Sequence, residues 1–254
     1  MIDILIVSLS TAAAVLAVLA VSPFLLKRYG RKWRYWVWLL FAVRLIIPLR
    51  PELPSAPLEV PRYVPQISVS VSDEVAEPRP PERTERTADT PEPNGATESG
   101  ADAGNVAFII WAVGAAVFLG AHTASYALFM YRIKPRLVSE GENVYRCELI
   151  DSPALVGFTR PMILLPDTEY TDEEREMIIA HERAHFRRKD MWYKLILLIA
   201  NSMHWFNPIV YLMARRANDD IEYTCDDAVL RGRDMEYRKK YSRVILKTMV
   251  RRRK

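Results

Sequence analysis

The strongest chemical signal in this 254-residue sequence is His181-Glu182-Arg183-Ala184-His185. Two histidines four apart share one face of a helix, so both imidazoles can reach one tetrahedral metal ion. Glu182 projects beside them, where its carboxylate can take a proton from a water that the metal activates. The bland alternative is a charged helix with two surface histidines. A zinc hydrolase also needs a third protein ligand. Further along, Glu222 and Asp226 are again four apart and share a helical face. Glu222 can complete a His–His–Glu set, while Asp226 can accept the outer N–H of a ligand histidine. Asp219, Asp220 and Asp227 are rival ligands, of which only Asp219 shares that face, and a solvated helix surface is the alternative for all of them. His204 is a candidate for stabilising a transition-state oxyanion, or else a hydrogen-bonded core histidine. Cys225 is a candidate ligand or an inert packed thiol. Two imidazoles and one carboxylate make Zn2+ the default ion.

These residues need elements to carry them. Thr171-Asp172-Glu173-Glu174 reads as a capping box that opens a helix running through about Arg188. Asn207-Pro208 supplies a cap and a first-turn proline for a second helix, which continues to Leu230 and stops at Gly232. Between them Met191 to Ala214 is apolar but interrupted by Lys194, Asn201, His204, Asn207 and Pro208. A membrane crossing there would part Glu222 from His181 and His185. The metal site therefore predicts a helical hairpin, packed in the core or dipping into the membrane interface. Upstream, the runs Val144 to Ile150, Ala154 to Phe158 and Met162 to Leu165 are punctuated by Pro153, Pro161 and Pro166, as in a small sheet or pair of hairpins.

The first half of the chain has a different character. Ile4 to Leu26 is a 23-residue run without a charged residue, about 34 Å long as a helix and enough for a bilayer core. Its basic cluster (Lys27, Arg28, Arg31, Lys32, Arg34) follows the apolar run, the wrong order for a cleaved signal peptide. Tyr35 to Leu49 predicts a second span, with Arg44 snorkelling and Trp33, Tyr35, Trp36 and Trp38 as an interfacial belt; a buried or re-entrant helix is its alternative. Val106 to Tyr131 predicts a third span, with His122 interfacial or packed. The basic residues at 27–34 and the group Arg132, Lys134, Arg136 both belong in the cytoplasm. That implies three crossings: amino terminus outside, 51–105 outside, and 132–254 inside.

Charge is blocked along the chain, +6 over residues 1–50, −7 over 51–104 and +5 over 105–254, a poor match to the single basic footprint of a nucleic-acid binder. Ten of the seventeen prolines lie between Pro51 and Pro93, in a Glu-, Thr- and Ser-rich stretch too polar to order itself. Residues 51–105 thus predict a flexible external loop, a solvated spacer or a recognition segment. The basic carboxy end (Arg238, Lys239, Lys240, Arg243, Lys247, Arg251 to Lys254) resembles an amphipathic helix suited to anionic lipid rather than a DNA-binding element. Cys147 and Cys225 provide no disulfide framework and fit a reduced compartment.

Ser152-Pro153-Ala154-Leu155-Val156-Gly157-Phe158, Leu164-Leu165-Pro166, the His181 motif, His204-Trp205-Phe206-Asn207-Pro208, and Glu222 through Leu230 occur in that order. Together they resemble BlaR/MecR-type membrane metallopeptidases over about residues 1–232. The resemblance implies a polytopic α-helical membrane protein whose mainly α, small-β cytosolic domain is a gluzincin-like zinc metallopeptidase. It implies zinc on His181, His185 and Glu222, with Glu182 as catalytic base. It also implies a cytosolic protein substrate, a winged-helix transcriptional repressor, cleaved in response to a signal crossing the plasma or inner membrane. Sensing members carry a penicillin-binding domain, whereas no Ser-x-x-Lys acylation motif occurs in this sequence. The expectation is a short member with another input, or one that has lost regulation. A general membrane-protein quality-control protease is the nearest enzymatic alternative. A non-catalytic signalling scaffold with a structural zinc site is the alternative from another class; it would have no need of Glu182.

Overall fold

A computed structural model describes residues 2–47, 99–158 and 160–251. Seven helices and one small sheet make up these residues: α1 (Ile2–Tyr29), α2 (Lys32–Ile46), α3 (Ser99–Ile133), α4 (Asp172–Arg187), α5 (Asp190–Met203), α6 (Pro208–Val229) and α7 (Met235–Arg251), with β1 (Val138–Gly141), β2 (Val144–Cys147), β3 (Ala154–Val156) and β4 (Met162–Pro166) between α3 and α4. The fold is mostly helical with few strands.

Two helical stretches are long and apolar enough to cross a bilayer, Asp3–Leu26 and Gly104–Arg136. Most of the second is exposed: Val106, Phe108, Ile109, Val113, Val117 and Leu128 all present large apolar side chains outward, as lipid contact requires. The second expected span differs from expectation. Its helix starts three residues early and ends at Ile46, a rise of about 22 Å against a hydrocarbon core of about 30 Å. The third begins at Ser99 rather than 106. Of the loop expected over 51–105, residues 51–98 lie outside the described residues, and 99–105 belong to α3 instead.

The sheet has the order β1-β2-β4-β3. β1 and β2 form a hairpin whose turn residues Glu142 and Asn143 both have positive φ, the backbone of a twist-compatible tight turn. β4 is central, parallel to β2 and antiparallel to β3, and its Ile163, Leu164 and Leu165 are buried. β1, which is mostly exposed and polar, has no apolar run to betray it in the sequence.

α4 begins with both halves of the capping box: Glu174 N–H donates to Thr171 Oγ1 at 3.2 Å, and Thr171 N–H to Glu174 Oε2 at 3.1 Å. α6 is capped by Asn207, whose Oδ1 accepts from the Ile209 N–H, and starts on Pro208. α5 and α6 are the expected hairpin. Its core combines Val15 of α1, Trp38, Ala42 and Leu45 of α2, Leu197 and Ala200 of α5, and Met213, Ala217 and Ile221 of α6. The hairpin lies along α2 from end to end. Tyr193 O–H donates to the Tyr35 carbonyl at one end, and His204 Nε2 lies 3.1 Å from the Leu45 carbonyl at the other. At that tip Asn207 also donates to Ser8, and Trp111 of α3 donates to the Met203 carbonyl. The hairpin is thus deeper in the helical bundle than an interfacial dip.

A second core joins Val144, Ile163 and Leu165 of the sheet to Met177 and Ile178 of α4 and Tyr241 and Val244 of α7. Tyr241 and Val244 thus seat α7 on protein, and Lys240 and Lys247 pair with Glu173 and Glu174 of α4 at 2.9 and 2.7 Å.

Candidate metal centre

α4 presents His181 and His185 one turn apart, their rings perpendicular with centroids 4.7 Å apart. Their Nε2 atoms are 3.1 Å from each other. The return of the chain along α6 brings Glu222 to the same point, with Oε2 3.2 Å from His185 Nε2 and 3.7 Å from His181 Nε2. A triangle with those three edges has a point about 2 Å from every corner, the distance at which imidazole nitrogen and carboxylate oxygen bind Zn2+. Donor chemistry and spacing both fit a zinc ion.

The outer nitrogens are held as well. His185 Nδ1 lies 2.8 Å from Oδ2 of Asp190, a fully buried carboxylate that also receives Arg188 at 3.3 Å. His181 Nδ1 lies 2.7 Å from the Tyr241 hydroxyl and 3.2 Å from Oδ1 of Asp226, and the Tyr241 O–H donates to that same oxygen at 2.7 Å. An Nδ1–H that donates outward leaves Nε2 with its lone pair directed at the ion.

Electrostatics point the same way. Burial pushes the His185 pKa down, but hydrogen bonds with Asp190, Cys225 and Glu222 outweigh it and push the value up to about 11. His181 is raised too, against burial, by Asp226, Cys225 and Glu222. Burial would raise the Glu222 carboxyl, yet His181, His185 and Lys194 hold it well below the usual carboxylate range. Without an ion the acids around the two imidazoles therefore favour positive charge at this point, the kind of charge that a divalent cation would supply. Glu182 is buried beside them, and that burial raises its pKa against the opposing pull of His181 and His185. All four side chains line one cavity of about 300 Å³.

Cys225 offers a rival third ligand, since its sulfur can join His181 and His185 in a group spanning 4.8 Å. Its sulfur lies 4.0 Å from His181 Nδ1 and 3.6 Å from the His181 carbonyl, which the S–H can reach. Glu222 faces the Nε2 atoms and is the better placed of the two. Among the other acids, Asp220 is bound to Arg34 and Asp227 pairs with Lys32; Asp219 is exposed. His204 does not join the site. It is buried at the far end of α5, about 20 Å along the helix from Asp190, so the oxyanion role considered for it gives way to that of a core histidine.

Asp190, Tyr241 and Lys194 went unread in the sequence. Asp190 sits five residues beyond His185, past a break at Lys189, whose left-handed backbone (φ 59°) turns the chain back toward the histidine. Nothing local marks Tyr241, which arrives on a separate helix.

The sequence profile described as BlaR1 peptidase M56 matches residues 2–254. The chain is 38% identical over 104 residues to the regulatory protein BlaR1 of Bacillus licheniformis, a match covering 40% of this chain and 17% of that protein. It is 30% identical over 104 residues to the methicillin resistance mecR1 protein of Staphylococcus aureus, covering 40% and 18%. With BlaR1 of Staphylococcus aureus the identity is 26% over 126 residues, covering 48% and 21%. The matched stretches thus span about a fifth of the length of these relatives.

Proposed function

The chain belongs to the BlaR1 peptidase M56 family, and from that membership and its site geometry we propose that it is a membrane-embedded zinc metalloendopeptidase with a cytosol-facing active site. The observation that carries this reading is the triangle of His181 Nε2, His185 Nε2 and Glu222 Oε2 with a buried Glu182 beside it. His181, His185 and Glu222 would hold the ion. Zinc there would lower the pKa of a water and polarise the scissile carbonyl. Glu182 takes the proton of the attacking water and returns it to the leaving nitrogen. Asp190 keeps His185 in the tautomer that ligation needs; Asp226 and Tyr241 do the same for His181.

Three crossings, by α1, α2 and α3, fit the two basic segments, with the α5–α6 hairpin embedded beside α2 despite the shortness of both. Orientation is supported by contacts of the basic segment at 31–34 with the site-bearing half of α6: Lys32 with Asp227 at 2.8 Å, Arg31 over the Tyr223 ring at 4.1 Å, and Arg34 with Asp220. The metal centre is therefore on the side of the positive cluster, the cytoplasmic side of a plasma or inner membrane. The names of the relatives support a regulatory role, and we propose a cytosolic winged-helix repressor as the substrate. No direct nucleic-acid contact is part of the reading.

The test uses the full chain purified in detergent. Wild type should hold about one zinc per chain and cleave a purified winged-helix repressor. Glu182→Gln should hold the zinc and cleave nothing. Glu222→Ala should lose the zinc, whereas Cys225→Ala should keep it. Zinc retained by Glu222→Ala and lost by Cys225→Ala would replace the ligand set, and cleavage by Glu182→Gln equal to wild type would remove the enzymatic reading.

A further inference from the structure

Peptide hydrolysis builds negative charge on the carbonyl oxygen, and a preorganised donor must stand about 3 Å from where that charge forms. The residues already assigned do not supply one. Glu182 and Glu222 are acceptors, and both imidazoles are committed to the ion and to their carboxylate partners. Among the described residues lining the cavity, three side chains remain that can donate: Ser152, Thr248 and Lys194. Thr248 O–H already donates to the Ile245 carbonyl at 2.8 Å. Lys194 alone of the three carries a charge.

Its placement is specific. Nζ of Lys194 is 3.0 Å from Oε1 of Glu222, while the other oxygen of that carboxylate faces the two histidines. The ammonium is therefore one carboxylate away from the metal position, and with its side chain 42% exposed it faces the open cavity. Lys194 and Glu182 line the same cavity. The lysine is one helical turn beyond Asp190, which is fixed to His185, and the intervening Tyr193 is tied to α2. Its backbone is thus referenced to the metal ligands. It is the only charged residue of α5 after Asp190, in a helix whose other face is buried apolar surface.

We propose that Lys194 is a catalytic residue that holds the scissile carbonyl oxygen as it becomes an oxyanion, an assignment that rests on the peptidase reading above. In the step, the water oxygen bonds to the carbonyl carbon and the C=O π pair moves onto oxygen. The water's proton goes to Glu182. One of the three ammonium N–H groups stays on Glu222 and another donates to the new oxyanion, and Lys194 keeps all its protons. On collapse the pair returns, the C–N bond breaks, and Glu182 gives its proton to nitrogen. The competing role is orientation of Glu222 alone.

The two roles separate in the full-length protein carrying Lys194→Met, Lys194→Arg or Glu182→Gln, compared with wild type. The readouts are zinc content, cleavage of unfolded casein, and affinity for N-phosphoryl-leucyl-tryptophan against plain leucyl-tryptophan. Lys194→Met should keep about one zinc per chain and bind the plain dipeptide as before. Its kcat and its phosphoryl-dipeptide affinity should both fall, kcat by about 100-fold or more. Lys194→Arg should recover part of both. Loss of zinc in Lys194→Met would make Lys194 a positioning residue for Glu222 and overturn the proposal. Unchanged kcat and unchanged phosphoryl-dipeptide affinity would overturn it while leaving the peptidase reading intact. Casein cleavage by wild type no faster than by Glu182→Gln would instead sink the peptidase reading and this proposal with it.

Discussion

Arg34 and Asp220 form a two-pronged ion pair between α2 and α6, with Nε and Nη2 donating to the two carboxylate oxygens at 2.6 Å each. Trp38 Nε1 adds a third bond to Asp220 at 2.9 Å, and the carboxylate is fully buried. Asp220 is two residues ahead of Glu222. The pair therefore fixes the helix that carries Glu222, the proposed third ligand, to a helix at the other end of the chain. The pair's planar, bidentate geometry is one that lysine could not reproduce.

Removing one partner leaves a buried charge uncompensated. Arg34→Met should destabilise the protein by about 3–5 kcal/mol, and Arg34→Met with Asp220→Leu by much less. Thermal unfolding in detergent measures both, and equal losses in the single and double variants would contradict the burial argument.

Asp190 holds His185 by Nδ1, the ring nitrogen that faces away from the proposed metal position. Asp190→Asn should weaken zinc binding by about 10–100-fold, because the amide cannot accept and orient as the carboxylate does. Competition against a zinc chelator reads this directly, and wild-type affinity in the variant would deny the carboxylate its role.

The histidine protons set a pH dependence. In the ion-free protein the His185 pKa is about 11 against an ordinary 6.5. Its proton stabilises the fold fully below about pH 6.5, and that contribution is lost as pH rises toward 11. His181 acts in the same sense. Stability of the ion-free protein should therefore decline from neutral to alkaline pH, while zinc affinity rises as the competing protons leave. Zinc binding measured between pH 6 and 9 should release protons, and a pH-independent affinity would contradict the raised values.

Gly114 of α3 accepts the indole of Trp205 at the hairpin tip. A Cβ there would lie 2.3 Å from the ring, whereas one on Gly120 of the same helix would meet nothing within 4 Å. Gly114→Ala should cost about 1–3 kcal/mol through overpacking, and Gly120→Ala should not destabilise. A comparison of their unfolding temperatures checks it.

Features set within one or two turns of chain were legible in the sequence. The His181–His185 pairing follows from the helical period, the start of α4 from Thr171 and Glu174, and the start of α6 from Asn207 and Pro208, because the forces involved act between near neighbours. The hairpin was legible by a different route, as the only path that could return Glu222 to the histidines. Tertiary structure decided the rest. Asp190 and Tyr241 became histidine partners, Asp220 a buried anchor and Lys194 a cavity cation. His204 moved to the opposite end of α5, and the apolar face of α7 closed over α4 and the sheet. Each of these depends on how helices distant in sequence pack. Packing is the sum of many weak contacts that no short motif encodes, and it decides which of several chemically equivalent acids, histidines and lysines face the same point.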